Sequence, residues 1–286
     1  MSRIVYVNGV YVPEEEARVS IFDRGFLFAD GVYEVTSVLD GKLVDFAGHA
    51  ARLERSLGEI EMASPVSGEE LAGVFRELVR RNALTEGMVY LQITRGADKD
   101  RDFDCPAPER VPPTVLAFTQ NKNIVGNPAA KAGISVITID DLRWARRDIK
   151  TVQLLYPVLG KKMAREQGKD DAWMVEDGVV TEGTSNNACI VREDRIITRD
   201  LSEKILHGIT RKAVLAIARE AQMKVEERPF TVDEAKEADE AFITSASTFV
   251  MPVVEIDGAR IGDGKPGPVA TRLREIYVEE SRKSAV

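Results

Sequence analysis

Val179-Val180-Thr181-Glu182-Gly183-Thr184-Ser185-Asn186-Asn187-Ala188-Cys189-Ile190-Val191 reads as two short strands with a polar turn between them. β-Branched residues suit a pleated, half-buried surface, whereas Gly, Ser and Asn supply turn geometry. Asp177-Gly178 just upstream predicts a hairpin joining 172–175 to 179–181, and 188–191 pairs in the same way with 195–198. A sheet-rich unit follows from such spacing. Glu182 stands where the first run stops, a carboxylate at the mouth of a Gly/Ser/Asn loop.

Working outward, Gly208-Ile209-Thr210-Arg211 opens a helix that carries Val214, Ile217, Ala218 and Ala221 at helical spacing. Thr231-Val232-Asp233-Glu234 caps a short helix before a strand at 241–244. Asp257-Gly258 turns between 253–256 and 259–261, and a last helix covers about 268–281. Upstream lie a strand at 134–139 and a helix at about 157–167. The first part of the chain repeats the pattern on a smaller scale. Asn8-Gly9 and Asp40-Gly41 predict hairpins; Phe46, Ala50, Leu53, Leu57 and Ile60 predict a helix, and Ser67-Gly68-Glu69-Glu70 is a capping box for a second. Strands are expected at 89–94 and 114–118. The polar, turn-rich stretch after 119 reads as a linker. The expected division is an α+β domain over 1–119, a linker over 120–131 and a larger β-rich domain over 132–286, within the α+β or α/β class.

Of 286 residues, 44% are hydrophobic and 30% charged, which is ordinary for a globular chain. Thirty-nine basic against 47 acidic residues give a net charge of −8, so nucleic acid and anionic membrane are not the expected partners. No run approaches the roughly 18 apolar residues of a membrane span. Two distant cysteines and two histidines predict no disulfide framework, no metal site and a cytoplasmic setting. Gly262-Asp263-Gly264-Lys265-Pro266-Gly267 fits a dinucleotide pattern, but the βαβ context is missing, so a surface turn is expected.

Lys150 lies in Asp148-Ile149-Lys150-Thr151-Val152-Gln153-Leu154-Leu155, a largely apolar run. A poorly solvated ammonium loses its proton more readily and becomes an amine able to form a Schiff base; the plainer alternative is a lysine snorkelling at a strand end. Glu182 could keep a pyridine nitrogen protonated, or simply bond turn amides. The amides of Gly208-Ile209-Thr210 suit a phosphate, or Thr210 is an ordinary N-cap. Thr244-Ser245-Ala246-Ser247-Thr248 offers hydroxyls and amides to the same group, and Arg52 offers a bidentate guanidinium or stands solvated on its helix. Taken together, these parts suit pyridoxal 5′-phosphate.

The chain resembles the fold-type IV (class IV) pyridoxal-phosphate aminotransferases, most of all the D-amino acid transaminases. The signature stands as Glu182-Gly183-Thr184-Ser185-Asn186-Asn187, Ile196-Ile197-Thr198 and Leu206-His207-Gly208-Ile209-Thr210-Arg211. Cys189 replaces the usual aromatic residue. The resemblance implies that Lys150 holds the cofactor covalently and shuttles a proton, and that Glu182 meets the pyridine nitrogen. Arg52, Ile209, Thr210, Ser245, Ala246 and Ser247 would hold the phosphate, Ala246 standing where a Thr is usual. It further implies that Tyr33 reaches the substrate carboxylate, with Arg101 or Lys99 binding it from a loop lacking the family's His. Asp23-Arg24-Gly25-Phe26-Leu27-Phe28-Ala29-Asp30-Gly31-Val32-Tyr33-Glu34 looks like the D-specific enzymes, and Leu154-Leu155-Tyr156 replaces the Gly-Asn-Tyr of branched-chain ones. Ping-pong transfer between D-amino acids and 2-oxo acids, by a homodimer with its site between two domains, is the implied function. A branched-chain (L-amino acid) aminotransferase and aminodeoxychorismate lyase remain as alternatives.

Overall fold

The computed structural model describes residues 2–286 and divides into two compact units, the first comprising the described residues up to 123, 149–153 and 284–286, the second 124–148 and 154–283. In the first unit β1 (Ile4–Val7) and β2 (Val10–Pro13) form a hairpin, and α1 (Arg24–Phe28) is a single short turn. β3 (Gly31–Leu39), β4 (Lys42–Leu43), α2 (Phe46–Glu59), α3 (Gly68–Arg81), β5 (Glu86–Thr94) and β6 (Thr114–Asn121) follow. The strands make one antiparallel sheet in the order β2-β1-β6-β5-β3-β4. Alternation along β3 and β5 sends Val32, Val38, Val89, Leu91 and Ile93 into a core shared with Leu53 and Leu57 of α2 and Phe75 and Leu78 of α3. Each such side chain contributes about 1.5–3 kcal/mol on burial. The expected capping box starts α3, with Ser67 Oγ accepting from the Glu70 amide at 3.2 Å and Glu70 Oε2 from the Ser67 amide at 2.8 Å.

The second unit contains α4 (Ala129–Ala132), β7 (Ile134–Asp140), α5 (Leu155–Glu166), β8 (Asp171–Glu176), β9 (Val179–Gly183), β10 (Asn187–Arg192) and β11 (Arg195–Thr198). After these come α6 (Ile209–Glu220), β12 (Lys224–Glu227), α7 (Val232–Lys236), β13 (Glu240–Ser245), β14 (Phe249–Ile256), β15 (Ala259–Arg260) and α8 (Pro268–Ser284). Its nine strands form a mixed sheet, β12-β11-β10-β13-β14-β7-β8-β9, with β15 on β14. Strands β10, β13 and β14 are buried along most of their length, the pattern of a sheet covered on both faces. Trp173, Ile190, Ile197, Phe230, Ile243 and Met251 form much of its core.

Three features depart from the sequence expectation. Gln120 and Asn121 extend β6 by pairing with Met88 and Gly87, and Ala129–Ala132 is helical, so the stretch between elements is 122–128 rather than the whole of 120–131. Residues 149–153 belong to the first unit, because they bond along the edge of β3 that the short β4 leaves open. The Lys150 carbonyl accepts from the Tyr33 amide at 2.9 Å, the Val152 amide donates to the Gly31 carbonyl at 3.1 Å, and Thr151 bridges Val32. The last residues also return, Val286 exchanging both backbone bonds with Leu43. The expected turn at 262–267 is present, and the adjacent start of α8 is filled by Glu240, whose carboxylate accepts from the amides of Val269 and Ala270, both at 2.9 Å. Among the described residues, no helix is long and apolar enough to cross a membrane, and no cluster of three metal-ligating side chains occurs.

Candidate active site

In the first unit, Lys150 is fixed by its backbone on the β3 edge and by its amide, which donates to Ser56 Oγ at 3.3 Å. Its side chain is partly buried, less enclosed than the apolar run suggests. The Nζ lies 4.1 Å from the Tyr33 ring centroid, and no carboxylate among the described residues pairs with it. Tyr33 is held in turn by stacking on Tyr90, centroids 5.6 Å apart, and Tyr90 by stacking on Phe118 at 4.9 Å. A braced aromatic face thus positions the Nζ by a contact other than an ion pair.

On the opposite, core-facing side of β3 sits a buried ionic group that the sequence reading did not foresee. Arg52 donates through Nε and Nη2 to the two oxygens of Glu34 at 2.7 and 2.8 Å, and His49 Nδ1 lies 2.8 Å from Glu34 Oε2. Burial alone would push the Glu34 carboxyl up; the Arg52 charge and the hydrogen bonds from Arg52 and His49 outweigh it and hold it well below the usual carboxylate range. Arg52 therefore presents a guanidinium fixed in place by a fork, not a solvated arm. A signal for this was present: alternation puts Glu34 on the same face as Val32, Thr36 and Val38, where a carboxylate needs a partner.

Arg101 and Lys99 are exposed. The Arg101 guanidinium lies 4.9 Å from both the Phe28 and Phe103 ring centroids, so aromatic rings restrict its arc.

In the second unit, Glu182 at the end of β9 is 4% exposed. Arg143 Nη1 donates to its Oε1 at 2.5 Å, while Asn187 Nδ2 and the Leu206 amide each donate to Oε2 at 3.0 Å. Burial pushes its carboxyl above the ordinary value, with Arg143 the main opposing influence. Arg143 was not singled out in the sequence, where Arg143, Arg146 and Arg147 follow Asp141 closely and spacing does not distinguish them. The structure does: Asp141 grips Arg143 through Nε and Nη2 at 2.9 and 2.7 Å, and Thr181 Oγ1 donates to Asp141 at 2.7 Å.

Asn187 also donates to the Leu206 carbonyl at 2.9 Å and fills the space a Cβ would need at Gly208, 2.0 Å from its Oδ1. Only glycine fits there, and α6 starts without a side-chain cap. The amides of Ile209 and Thr210 find no acceptor among the described residues. Asn187 pairs in register with Thr244, whose buried Oγ1 has no hydrogen-bond partner among the described residues. Ser245, Ala246 and Ser247 follow directly. An unspent helix start, an orphaned hydroxyl and a serine turn thus share one neighbourhood, the makings of an anion cradle.

Residues 31–256 match the family model of the class IV amino-transferases. The chain is 39% identical over 282 residues to a D-alanine aminotransferase of Staphylococcus haemolyticus, covering 98% of this chain and 99% of that one. It is 40% identical over 285 residues to a D-alanine aminotransferase of Bacillus licheniformis, covering 98% and 99%. The chain belongs to the class IV aminotransferases. Among solved structures, a T.th. branched-chain amino acid aminotransferase with pyridoxamine 5′-phosphate superimposes with a TM-score of 0.89 at 29% identity, covering 98% of this chain and 94% of that one.

The cofactor of this aminotransferase is accordingly pyridoxal 5′-phosphate, and the residues present fit it. Unpaired amides at α6 and the buried Thr244 hydroxyl suit a phosphate, the Lys150 amine has no competing carboxylate, and Glu182 is a buried acid held by three donors. Cys189 is buried and its thiol is pushed up to about 11 by that burial, as befits a packing residue.

Proposed function

We propose that this class IV aminotransferase moves an amino group between a D-amino acid and a 2-oxo acid in ping-pong fashion, with D-alanine or D-glutamate as donor and 2-oxoglutarate or pyruvate as acceptor. The observation that carries the substrate class is the near full-length similarity to relatives named D-alanine aminotransferase. Pyridoxal phosphate, when bound, supplies an electron sink for the pair released at the substrate Cα. Lys150 would anchor it and take up the proton released at the substrate Cα, with Tyr33 keeping Nζ in place. Glu182 would meet the pyridine nitrogen. Ile209 and Thr210 amides, Ser245, Ala246, Ser247 and Arg52 bind the phosphate, and Tyr33 with Arg101 or Lys99 orients the carboxylate so that one Cα–H faces the lysine.

A homodimer in the cytoplasm completes the proposal; the exposed apolar side chains Leu155, Val158, Leu159 and Met163 on α5 support a covered face there. Similarity to branched-chain enzymes of known structure favours a second reading, transfer from branched-chain L-amino acids. Paired donors separate the two. D-alanine should bleach the yellow holoenzyme and L-leucine should not, while Lys150→Ala should lose more than about 10³-fold of turnover. Bleaching by L-leucine alone would overturn the D-specific reading.

A further inference from the structure

The hairpin joining β13 to β14 has a backbone that its sequence would not choose. Ser245 and Phe249 are the last register pair, so Ala246-Ser247-Thr248 is a three-residue loop. Loops of this length end in a left-handed residue, a place that usually falls to glycine. Here no loop residue takes it; the left-handed residue is Phe249, the first of β14, at φ +60° and with no exposed surface. A bulky residue persists in that region only where its surroundings over-determine it.

Helix α8 supplies the surroundings. Tyr277 meets the Phe249 ring edge-on, centroids 4.9 Å apart. Arg274, 8% exposed, donates through Nη1 to the carbonyls of Thr248 at 2.6 Å and Val250 at 2.7 Å, the two neighbours of Phe249. Its Nη2 donates to the carbonyls of Ile124 and Val125. One guanidinium thus ties both flanks of the strained residue to the first residues of the unit. The hydroxyls on the turn have weaker anchors: among the described residues, Ser245 Oγ bonds Thr248 Oγ1 at 2.7 Å and Ser247 Oγ at 3.4 Å, both within the turn itself. Their direction follows from the backbone that Arg274 and Phe249 fix.

From this we infer that Arg274 and Phe249 are positioning residues, holding the Ser245–Ser247 turn in the shape that receives the cofactor's phosphate. The inference rests on reading that turn as part of the phosphate site. Such pre-organisation raises affinity by removing the ordering that binding would otherwise require.

The test compares pyridoxal phosphate with pyridoxal, which lacks the phosphate, on enzyme stripped of cofactor and titrated by absorbance. Arg274→Met should weaken pyridoxal phosphate by about tenfold, the scale of a lost hydrogen bond, while pyridoxal stays within about twofold. Arg274→Lys, which retains the charge but reaches fewer carbonyls, should fall between and decides the matter if the methionine variant does not fold. The double variant Ser245→Ala/Ser247→Ala tests the underlying site. If it leaves the affinity ratio unchanged, the phosphate reading of the turn fails. If it lowers the ratio and the Arg274 variants do not, or if they weaken both ligands equally, the positioning role fails.

Discussion

Glu34 and Glu182 are both buried, both contact an arginine, and are driven in opposite directions. Glu34 is held well below the ordinary 4.5, Glu182 above it. Burial pushes each carboxyl up; the difference lies in how the arginine is spent. Arg52 gives both arms of its fork to Glu34, and His49 adds a third contact. Arg143 gives one N–H to Glu182 and its fork to Asp141. The first glutamate is a structural anion. The second is left incompletely neutralised, which suits the proposed role of meeting a cationic ring.

The largest expected effect is on stability. Glu34→Gln leaves Arg52 buried without its counter-charge, and unfolding free energy should fall by about 3–5 kcal/mol; Glu182→Gln should cost about 1 kcal/mol, since Arg143 keeps Asp141. Denaturant melts showing the reverse ranking would break the comparison. Their pH dependences should also differ in sign. A lowered folded pKa stabilises above the unfolded value and loses that contribution as pH falls, so the gap between wild type and Glu34→Gln should narrow below about 4.5. A raised one stabilises at acid pH and loses that contribution as pH rises, so the gap for Glu182→Gln should shrink above about 4.5. Parallel gaps across the range of about pH 3.5–7 would mean that the two sites do not differ.

Next in size is catalysis. If Glu182 meets the ring as proposed, Glu182→Gln should lower kcat by about 10²-fold, with the fold retained by circular dichroism; unchanged kcat would remove Glu182 from the mechanism. The smallest effect tests Arg143 itself. Arg143→Met leaves burial less opposed, so the Glu182 carboxyl rises further and the acid limb of the kcat/KM profile should move to higher pH. A shift downward would contradict the account of how Arg143 acts.

How much of this was legible depended on how local the signal was. Asn8-Gly9, Asp177-Gly178, Asp257-Gly258 and the Ser67 capping box announce their elements, since turn and cap chemistry sits in adjacent residues. The pieces that escaped are short or tertiary. Helix α1 spans five residues, too few for a period, and β12 is a charged strand that joins the sheet by pairing in parallel with β11, a contact no local pattern encodes. At the site, Lys150, Glu182 and the α6 start stood out by residue type and spacing. Arg143 and the partner of Glu34 did not, since which arginine reaches which carboxylate is decided by how helix α2 packs on β3 and how the 141–147 segment folds back on β9.

The five residues around Lys150 carry a practical consequence for recombining this fold. They are encoded in the middle of the second unit's sequence yet bonded to β3. A chimaera cut once at residues 123/124 would inherit the Lys150 amine from one parent and the strand that seats it from the other. Any library built by swapping halves should therefore move 149–153 together with the N-terminal parent, or expect the lysine and its tyrosine platform to be mismatched.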